Sequence, residues 1–141
     1  MRSGLIDVHH VGIVVPDIRS ASEHYQQVLG YSPEGEICLE ESQSVYVQFL
    51  RLGAQRIELI EPVGKSSPVY AFLQRGGGLN HLCYESDDLE ASILWLRRSH
   101  GAVVTGPIQK SVSLEACRFA FLARPDGEVI ELVELQREAD A

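Results

Sequence analysis

The stretch that decides the fold class is residues 9–31, HHVGIVVPDIRSASEHYQQVLGY. Residues 8–15 are mostly apolar and β-branched apart from two histidines, which predicts a buried strand. Pro16 ends this run, and Asp17 is a favourable helix N-cap in front of apolar residues at helical spacing. Gly30 stands where a helix commonly ends on a left-handed residue. The stretch therefore predicts a strand followed directly by a helix.

The rest of the chain completes this unit and then repeats it. Three strands are predicted at residues 37–41, 45–52 and 55–60, followed by a loop rich in Gly, Ser and Pro. Residues 79–135 then show the same order of strand, helix and three strands. A shift of 71 residues places His10 on His81, Asp17 on Asp88 and Gly30 on Gly101. We interpret this as an internal duplication.

The duplication predicts the domain organisation and the fold class. We expect residues 1–141 to form a single domain, with module one at about 5–61, a linker at 62–78 and module two at about 79–136. The expected fold class is α+β, with two βαβββ modules forming a curved mixed sheet around a metal-binding cleft. Helices would cover the back of the sheet.

Composition and charge exclude several kinds of protein. The chain of 141 residues is 45% hydrophobic and 23% charged, as globular proteins are. Its net charge of −8 disfavours nucleic acid as a partner. No apolar run approaches the roughly 20 residues that span a bilayer, and the N-terminus has no signal-peptide pattern. Three widely spaced cysteines fit neither a disulfide framework nor a CxxC site. We expect a cytoplasmic protein with a small-molecule substrate and no membrane partner.

Two histidines and two glutamates recur at corresponding places in the modules. His10 and His81 each lie in the first strand of a module, and Glu58 and Glu131 each lie in the last. The separation is 48 residues in the first module and 50 in the second. An inward carboxylate needs a partner, because burying an unpaired charge is costly. One divalent cation shared by all four side chains would meet that need.

This donor set predicts the kind of metal and its role. Two imidazoles and two carboxylates suit one Zn²⁺, Ni²⁺, Co²⁺, Fe²⁺ or Mn²⁺ ion per chain. Four protein ligands leave positions for substrate, so the ion is expected to polarise a carbonyl. Glu58 and Glu131 are also the candidate catalytic bases. The simpler alternatives are core histidines bonded to a neighbour and glutamates on the solvent side of an edge strand.

These residues resemble a known superfamily over nearly the whole chain. The similar segments are HHVGIVVPDIRSASEHYQQVLGY (9–31), RIELIEP (56–62), GGLNHLCYESDDLEASILWLRRSHG (77–101) and RPDGEVIELVE (124–134). They resemble the vicinal oxygen chelate (glyoxalase/bleomycin resistance/dioxygenase) superfamily, and residues 57–85 are most similar to its methylmalonyl-CoA epimerase family.

The resemblance implies a site and an activity. It implies His10, His81 and Glu131 as metal ligands and Glu58 at the place of a fourth. It implies a homodimer that moves a proton α to a carbonyl or thioester, with an acyl-CoA as the candidate substrate. The alternatives are a glyoxalase I-like lyase and a non-enzymatic protein that binds a small toxic or antibiotic molecule.

Two segments that would border the substrate depart from the epimerase pattern. Residues 110–121 lack the glycines expected before the penultimate strand, and the loop at 124–128 is short. Gln48 is the most suggestive polar residue of its strand, and Arg118 and Arg124 are candidates, with Lys65, for binding the anionic CoA. The alternative is that these cations are scattered solvated residues.

Overall fold

The computed structural model describes residues 3–111 and 118–135. The elements within these residues confirm the predicted α+β class. The helices are α1 (Ile18–Gln27), α2 (Tyr70–Gln74) and α3 (Leu89–His100). The strands are β1 (Leu5–Val14), β2 (Ser32–Pro33), β3 (Cys38–Glu40), β4 (Val45–Leu52), β5 (Gln55–Pro62), β6 (Gly78–Ser86), β7 (Val103–Val104), β8 (Gln109–Lys110), β9 (Arg118–Ala123) and β10 (Val129–Glu134).

The ends of the two longer helices follow from their capping residues. The Asp17 carboxylate accepts hydrogen bonds from the N–H groups of Arg19 and Ser20 at the start of α1. Asp88 does the same for Ala91 at the start of α3. Gly101 ends α3 with φ of 66°, a left-handed conformation that glycine adopts without steric cost. The predicted cap at Asp17 is confirmed, and its duplicated counterpart Asp88 plays the same part in α3.

The structure divides into two compact units. The first, called here the N-terminal unit, is residues 10–80. The second, called the C-terminal unit, is residues 3–9 with 81–111 and 118–135. In the N-terminal unit β4 lies between β2 and β5, and β3 also pairs with β4. Strand β5 is antiparallel to β4 and parallel to β1.

The sheet of the N-terminal unit has two packed faces. On the α1 face, Leu50 and Leu59 pack in one cluster with Ile18 of helix α1. On the opposite face, named the α2 face, Val14, Val45, Val47 and Ile60 form a second cluster, against which Phe72 and Leu73 of α2 pack. Because both faces of β4 are covered, its side chains are buried on both sides from Val47 to Leu50.

The C-terminal unit is built in the same way. Strand β10 is parallel to β6 and antiparallel to β9, and β9 also pairs with β7 on its other side. On the α3 face, Leu89 and Ile93 of the helix pack with a cluster on β9 and β10. On the other face Cys83, Phe119 and Val133 form a smaller cluster. Within the described residues, no helix has the length and apolar character needed to cross a membrane.

Candidate active site

His10 and Glu58 form a close pair on the α2 face of the N-terminal unit. His10 Nε2 lies 3.3 Å from Glu58 Oε1. Glu58 on β5 is in register with Gly12, two residues beyond His10 on the parallel strand β1. Side chains two residues apart share a face, so the imidazole reaches the carboxylate diagonally. The side chains of His10 and Glu58 are 1% and 12% exposed, so the carboxylate is held largely out of water.

His81 and Glu131 form the corresponding pair in the C-terminal unit. His81 Nε2 lies 3.0 Å from Glu131 Oε1, and both side chains are buried. Glu131 on β10 is in register with Cys83, again two residues beyond the histidine on the parallel strand β6. The two units therefore build the same His–Glu pair with the same strand register. The duplication seen in the sequence extends to the side-chain geometry.

An aromatic ring packs edge-on against each histidine. The ring centroids of His10 and Phe49 are 5.1 Å apart, and those of His81 and Phe121 are 5.4 Å apart. Phe49 lies directly opposite Glu58 on the neighbouring strand, and Phe121 lies directly opposite Glu131. Sequence reasoning missed both rings, although their separation of 72 residues is close to the shift of the duplication. One aromatic ring therefore packs against the histidine of each pair.

The pairs offer the donors that borderline divalent ions accept. Each supplies one imidazole nitrogen and one carboxylate oxygen. A carboxylate buried beside an aromatic ring needs a positive partner, which is either a protonated imidazole or a bound cation. The structure thus brings together the predicted ligands His10 and Glu58 in one unit and His81 and Glu131 in the other.

Glu40 is a further buried acid on the α2 face, and sequence reasoning missed it. It is only 5% exposed and alternates along β3 with Leu39, which is exposed. Burial raises the pKa of the Cys38 thiol, and the negative charges of Glu40 and Glu58 raise it further. Cys38 and Glu40 stand two residues apart on β3, so their side chains share the α2 face. The sequence has two adjacent acids here, Glu40 and Glu41, and its pattern does not indicate which one points inward.

Gln48 lies on the α1 face of β4, opposite to its neighbour Phe49. Its side-chain oxygen accepts a hydrogen bond from Ser22 Oγ at 2.5 Å, and its side-chain nitrogen donates to the Gly35 carbonyl at 3.1 Å. The structure therefore does not bring Gln48 to the His10–Glu58 pair. Its predicted role in binding substrate stays a prediction, and these contacts do not support it.

The two candidate arginines are held by acidic side chains of the C-terminal unit. Arg118 makes paired hydrogen bonds to Glu90 at 2.7 and 3.0 Å and bonds Glu134 at 2.7 Å. These bonds raise the pKa of Arg118 and lower that of Glu90. Arg124 forms ion pairs with Asp126 and Glu128. Both guanidinium groups have protein partners, so a CoA phosphate would have to compete with carboxylates for them.

Comparison with known proteins places the chain among epimerase relatives. The model of the Glyoxalase/Bleomycin resistance protein/Dioxygenase superfamily matches residues 9–121. Mitochondrial methylmalonyl-CoA epimerase of Homo sapiens is 37% identical over 93 residues, which are 64% of this chain and 52% of that protein. The chain thus spans about half the length of the human and mouse relatives that it matches.

Two further matches extend over nearly full length. Ethylmalonyl-CoA/methylmalonyl-CoA epimerase of Cereibacter sphaeroides is 33% identical over 132 residues, which are 91% of this chain and 97% of that protein. The crystal structure of methylmalonyl-CoA epimerase from Mycobacterium tuberculosis matches with a TM-score of 0.84 and 29% identity. That match covers 99% of this chain and 94% of the other.

Proposed function

This chain belongs to the glyoxalase/bleomycin resistance protein/dioxygenase superfamily, and we propose that it is a divalent-metal-dependent epimerase of acyl-CoA thioesters. The proton it moves would be the one α to the thioester carbonyl of a methylmalonyl-CoA-like substrate. The observation that carries the proposal is the His–Glu pair repeated in both units with one register. The names of the relatives matched over nearly full length support the reaction type.

We propose that one divalent cation is held by the four ligands predicted from the duplicated sequence, His10, Glu58, His81 and Glu131. Two neutral imidazoles and two carboxylates suit Zn²⁺, Ni²⁺, Co²⁺, Fe²⁺ or Mn²⁺ and leave the net charge of such a site near zero. When bound, the ion supplies Lewis-acid polarisation of the thioester carbonyl. The protein side chains must then remove and return the α proton.

Inversion at the α-carbon requires two groups on opposite faces of that carbon. One carboxylate takes the α proton as the C–H bond breaks, and a second group gives a proton to the other face as a new C–H bond forms. Glu40 and Glu58 both point to the α2 face of the N-terminal sheet, so they would approach the substrate from the same side. We therefore propose Glu40 and Glu131 as the two proton-transfer groups, with Glu131 also serving as a metal ligand and Glu58 serving as a metal ligand only.

The acidity of the α proton indicates the class of substrate. An acyl-CoA with a second carbonyl group next to its α-carbon has the weakly acidic α proton that this chemistry needs. We also propose that the chain forms a homodimer, as its resemblance to epimerases implies. Sedimentation of the purified chain measures the assembly independently of activity.

Isotope exchange in D₂O tests the activity. The wild-type protein, loaded with a divalent metal, should epimerise methylmalonyl-CoA or ethylmalonyl-CoA and place deuterium at the α-carbon. Glu40→Gln should lower epimerisation by roughly 100-fold or more, as loss of a general base does. The matched control is Glu41→Gln, because Glu41 is adjacent and exposed, and it should retain wild-type activity. Absence of exchange across a panel of malonyl-CoA thioesters would overturn the epimerase proposal.

Assays on the same protein distinguish the two alternative functions, a glyoxalase I-like lyase and a non-enzymatic binding protein. Turnover of a thiol adduct of a 2-oxoaldehyde, without exchange into acyl-CoA, would favour a glyoxalase I-like lyase. Ligand binding without either reaction and without retained metal would favour a binding protein.

A further inference from the structure

The buried amide of Gln48 links three segments of the N-terminal unit. Its oxygen accepts from Ser22 on helix α1, and its nitrogen donates to the carbonyl of Gly35 in the segment before β3. Ser22 Oγ in turn accepts a hydrogen bond from Gln26 Nε2, one helical turn further along α1. Both Gln48 and Ser22 are less than a tenth exposed. The orientation of the amide is therefore fixed at both ends.

The segment that receives this bond leads directly to Glu40. Glu34 is held by Arg56 at 2.8 Å and by Arg51 at 3.2 Å, and its N–H donates to the Phe49 carbonyl. Gly35 has φ of 112°, a conformation that needs glycine. From there the chain needs only two residues to reach β3, whose last residue is Glu40.

This segment connects a residue on one face of the sheet to a residue on the other. Gln48 belongs to the α1 face, whereas Glu40 belongs to the α2 face, where Glu58 also lies. Strand β3 has only three residues and is paired on one side by β4, so its pairing alone provides few hydrogen bonds. A short strand depends strongly on how its ends are held. The bond from Gln48 to Gly35 holds the end at which β3 begins.

We propose that Gln48 is a positioning residue for Glu40, acting through the Gly35 carbonyl and the start of β3. This inference rests on the proposed function, in which Glu40 transfers a proton. It gives Gln48 a role in the reaction without contact to the substrate. Correct proton transfer depends on the carboxylate lying within hydrogen-bond reach of the α-carbon's proton, so a small displacement of β3 slows it.

The most informative substitution of Gln48 removes its hydrogen-bond donor and keeps its acceptor. Gln48→Glu keeps the size of the side chain and its acceptor toward Ser22, but it replaces the N–H donor with an oxygen facing the Gly35 carbonyl. Ser22→Ala removes the other bond and leaves the one to Gly35 in place, so its effect should be smaller. The matched control is Gln55→Glu, an exposed glutamine at the start of β5.

The decisive measurement is the ratio of α-proton exchange to epimerisation for each substrate epimer in D₂O. With Glu40 displaced, the epimer whose α proton faces the other base still exchanges, but inversion slows. The ratio for that epimer should rise about tenfold in Gln48→Glu and less in Ser22→Ala, as expected for one lost buried hydrogen bond. Gln55→Glu should leave it unchanged. A partly unfolded enzyme loses both rates equally, so an unchanged ratio in Gln48→Glu would overturn the proposal.

A second measurement does not depend on the substrate. Amide hydrogen exchange of residues 36–40 should be faster in Gln48→Glu and in Ser22→Ala than in wild type, and unchanged in Gln55→Glu. If the wild-type protein shows no epimerase activity, but the two variants lose the protection of residues 36–40, the proposed function fails. The positioning of β3 by Gln48 then still stands. If protection of residues 36–40 is unaffected in both variants, the positioning role is wrong even for an active epimerase.

Discussion

Glu58 and Glu61 stand three residues apart on β5 and point to opposite faces of the sheet. Glu58 Oε1 lies 3.3 Å from His10 Nε2, whereas Glu61 Oε1 accepts a 2.9 Å hydrogen bond from the N–H of Ile18 at the start of α1. Glu134, three residues after Glu131, binds the N–H at the start of α3 in the same way. One short motif therefore connects a buried His–Glu pair to a helix N-terminus in each unit.

We predict that Glu61 contributes to stability but not to metal binding. A carboxylate at a helix N-terminus satisfies a free N–H group and interacts favourably with the helix dipole. Glu61→Ala should lower the free energy of unfolding by about 1 kcal/mol. Glu61→Gln, which keeps an acceptor, should lower it less. Urea denaturation measures both, and the bound metal content should stay at the wild-type level. Loss of metal in Glu61→Gln would show that the two faces are not separate in function.

We predict that metal retention depends on the buried histidines and not on an exposed one. Wild-type protein purified without a tag should carry about one divalent ion per chain. His10→Ala and Glu131→Ala should each lose most of it, because each removes a ligand and leaves a buried partner without its neighbour. His24→Ala is the matched control, since His24 is exposed on α1. Elemental analysis decides the matter, and full metal content in His10→Ala would contradict the assigned ligand set.

We predict that Arg118 serves the C-terminal unit rather than the substrate. Arg118 joins Glu90 of α3 to Glu134 of β10. Arg118→Gln should lower the free energy of unfolding by about 1 kcal/mol, since the pair is partly exposed to solvent. The KM for an acyl-CoA substrate should stay within about twofold of wild type, a change worth less than about 0.5 kcal/mol. A large rise in KM with unchanged stability would instead support the sequence-based assignment of Arg118 to substrate binding.

We predict a pH-dependent contribution from Glu34. The hydrogen bond from Arg56 and, after it, the charges of Arg56 and Arg51 hold the pKa of Glu34 below its ordinary value of 4.5, despite partial burial. Because the pKa is lower in the folded state, the stabilisation is fully present above pH 4.5 and is lost as the pH falls through the folded-state pKa.

The measurement compares Glu34→Gln with wild type across that range. The variant should be less stable by about 0.5–1 kcal/mol at neutral pH, and the difference should disappear in acid. Glu36→Gln is the control, since Glu36 is exposed in the same segment. A difference between Glu34→Gln and wild type that persists unchanged well below pH 4.5 would contradict the assignment to charge.

The elements were predictable because they have local causes. The boundaries of β4 match the predicted residues 45–52, and Asp17 caps α1 as predicted. For α3 the sequence offered Asp87 or Asp88, and the structure has Asp88. The spacing of apolar residues and the capping side chains act within a few residues of the chain. The short strands β2 and β8 were missed, because two residues carry no periodicity.

The pairing of histidine with glutamate was predictable because the chain contains two copies of one module, which can be compared with each other. Either histidine alone could be a core residue or a metal ligand. Both histidines recur with a glutamate at a similar sequence separation, which makes an accidental arrangement improbable. The structure adds the register that makes the pairs possible, with each glutamate aligned two residues beyond its histidine. That register depends on contacts between strands far apart in sequence.

The sequence by itself determined where the longer strands and the two capped helices lie, that the unit occurs twice, and which histidines and glutamates recur. Only the tertiary structure decided the direction in which individual polar side chains point. Gln48 and Phe49 are both buried, on opposite faces of β4, so hydropathy cannot distinguish the face of the His–Glu pair from the face of α1. The physical reason is that alternation along a strand has a period of two, but the identity of each face is set by the helices and strands that pack against it.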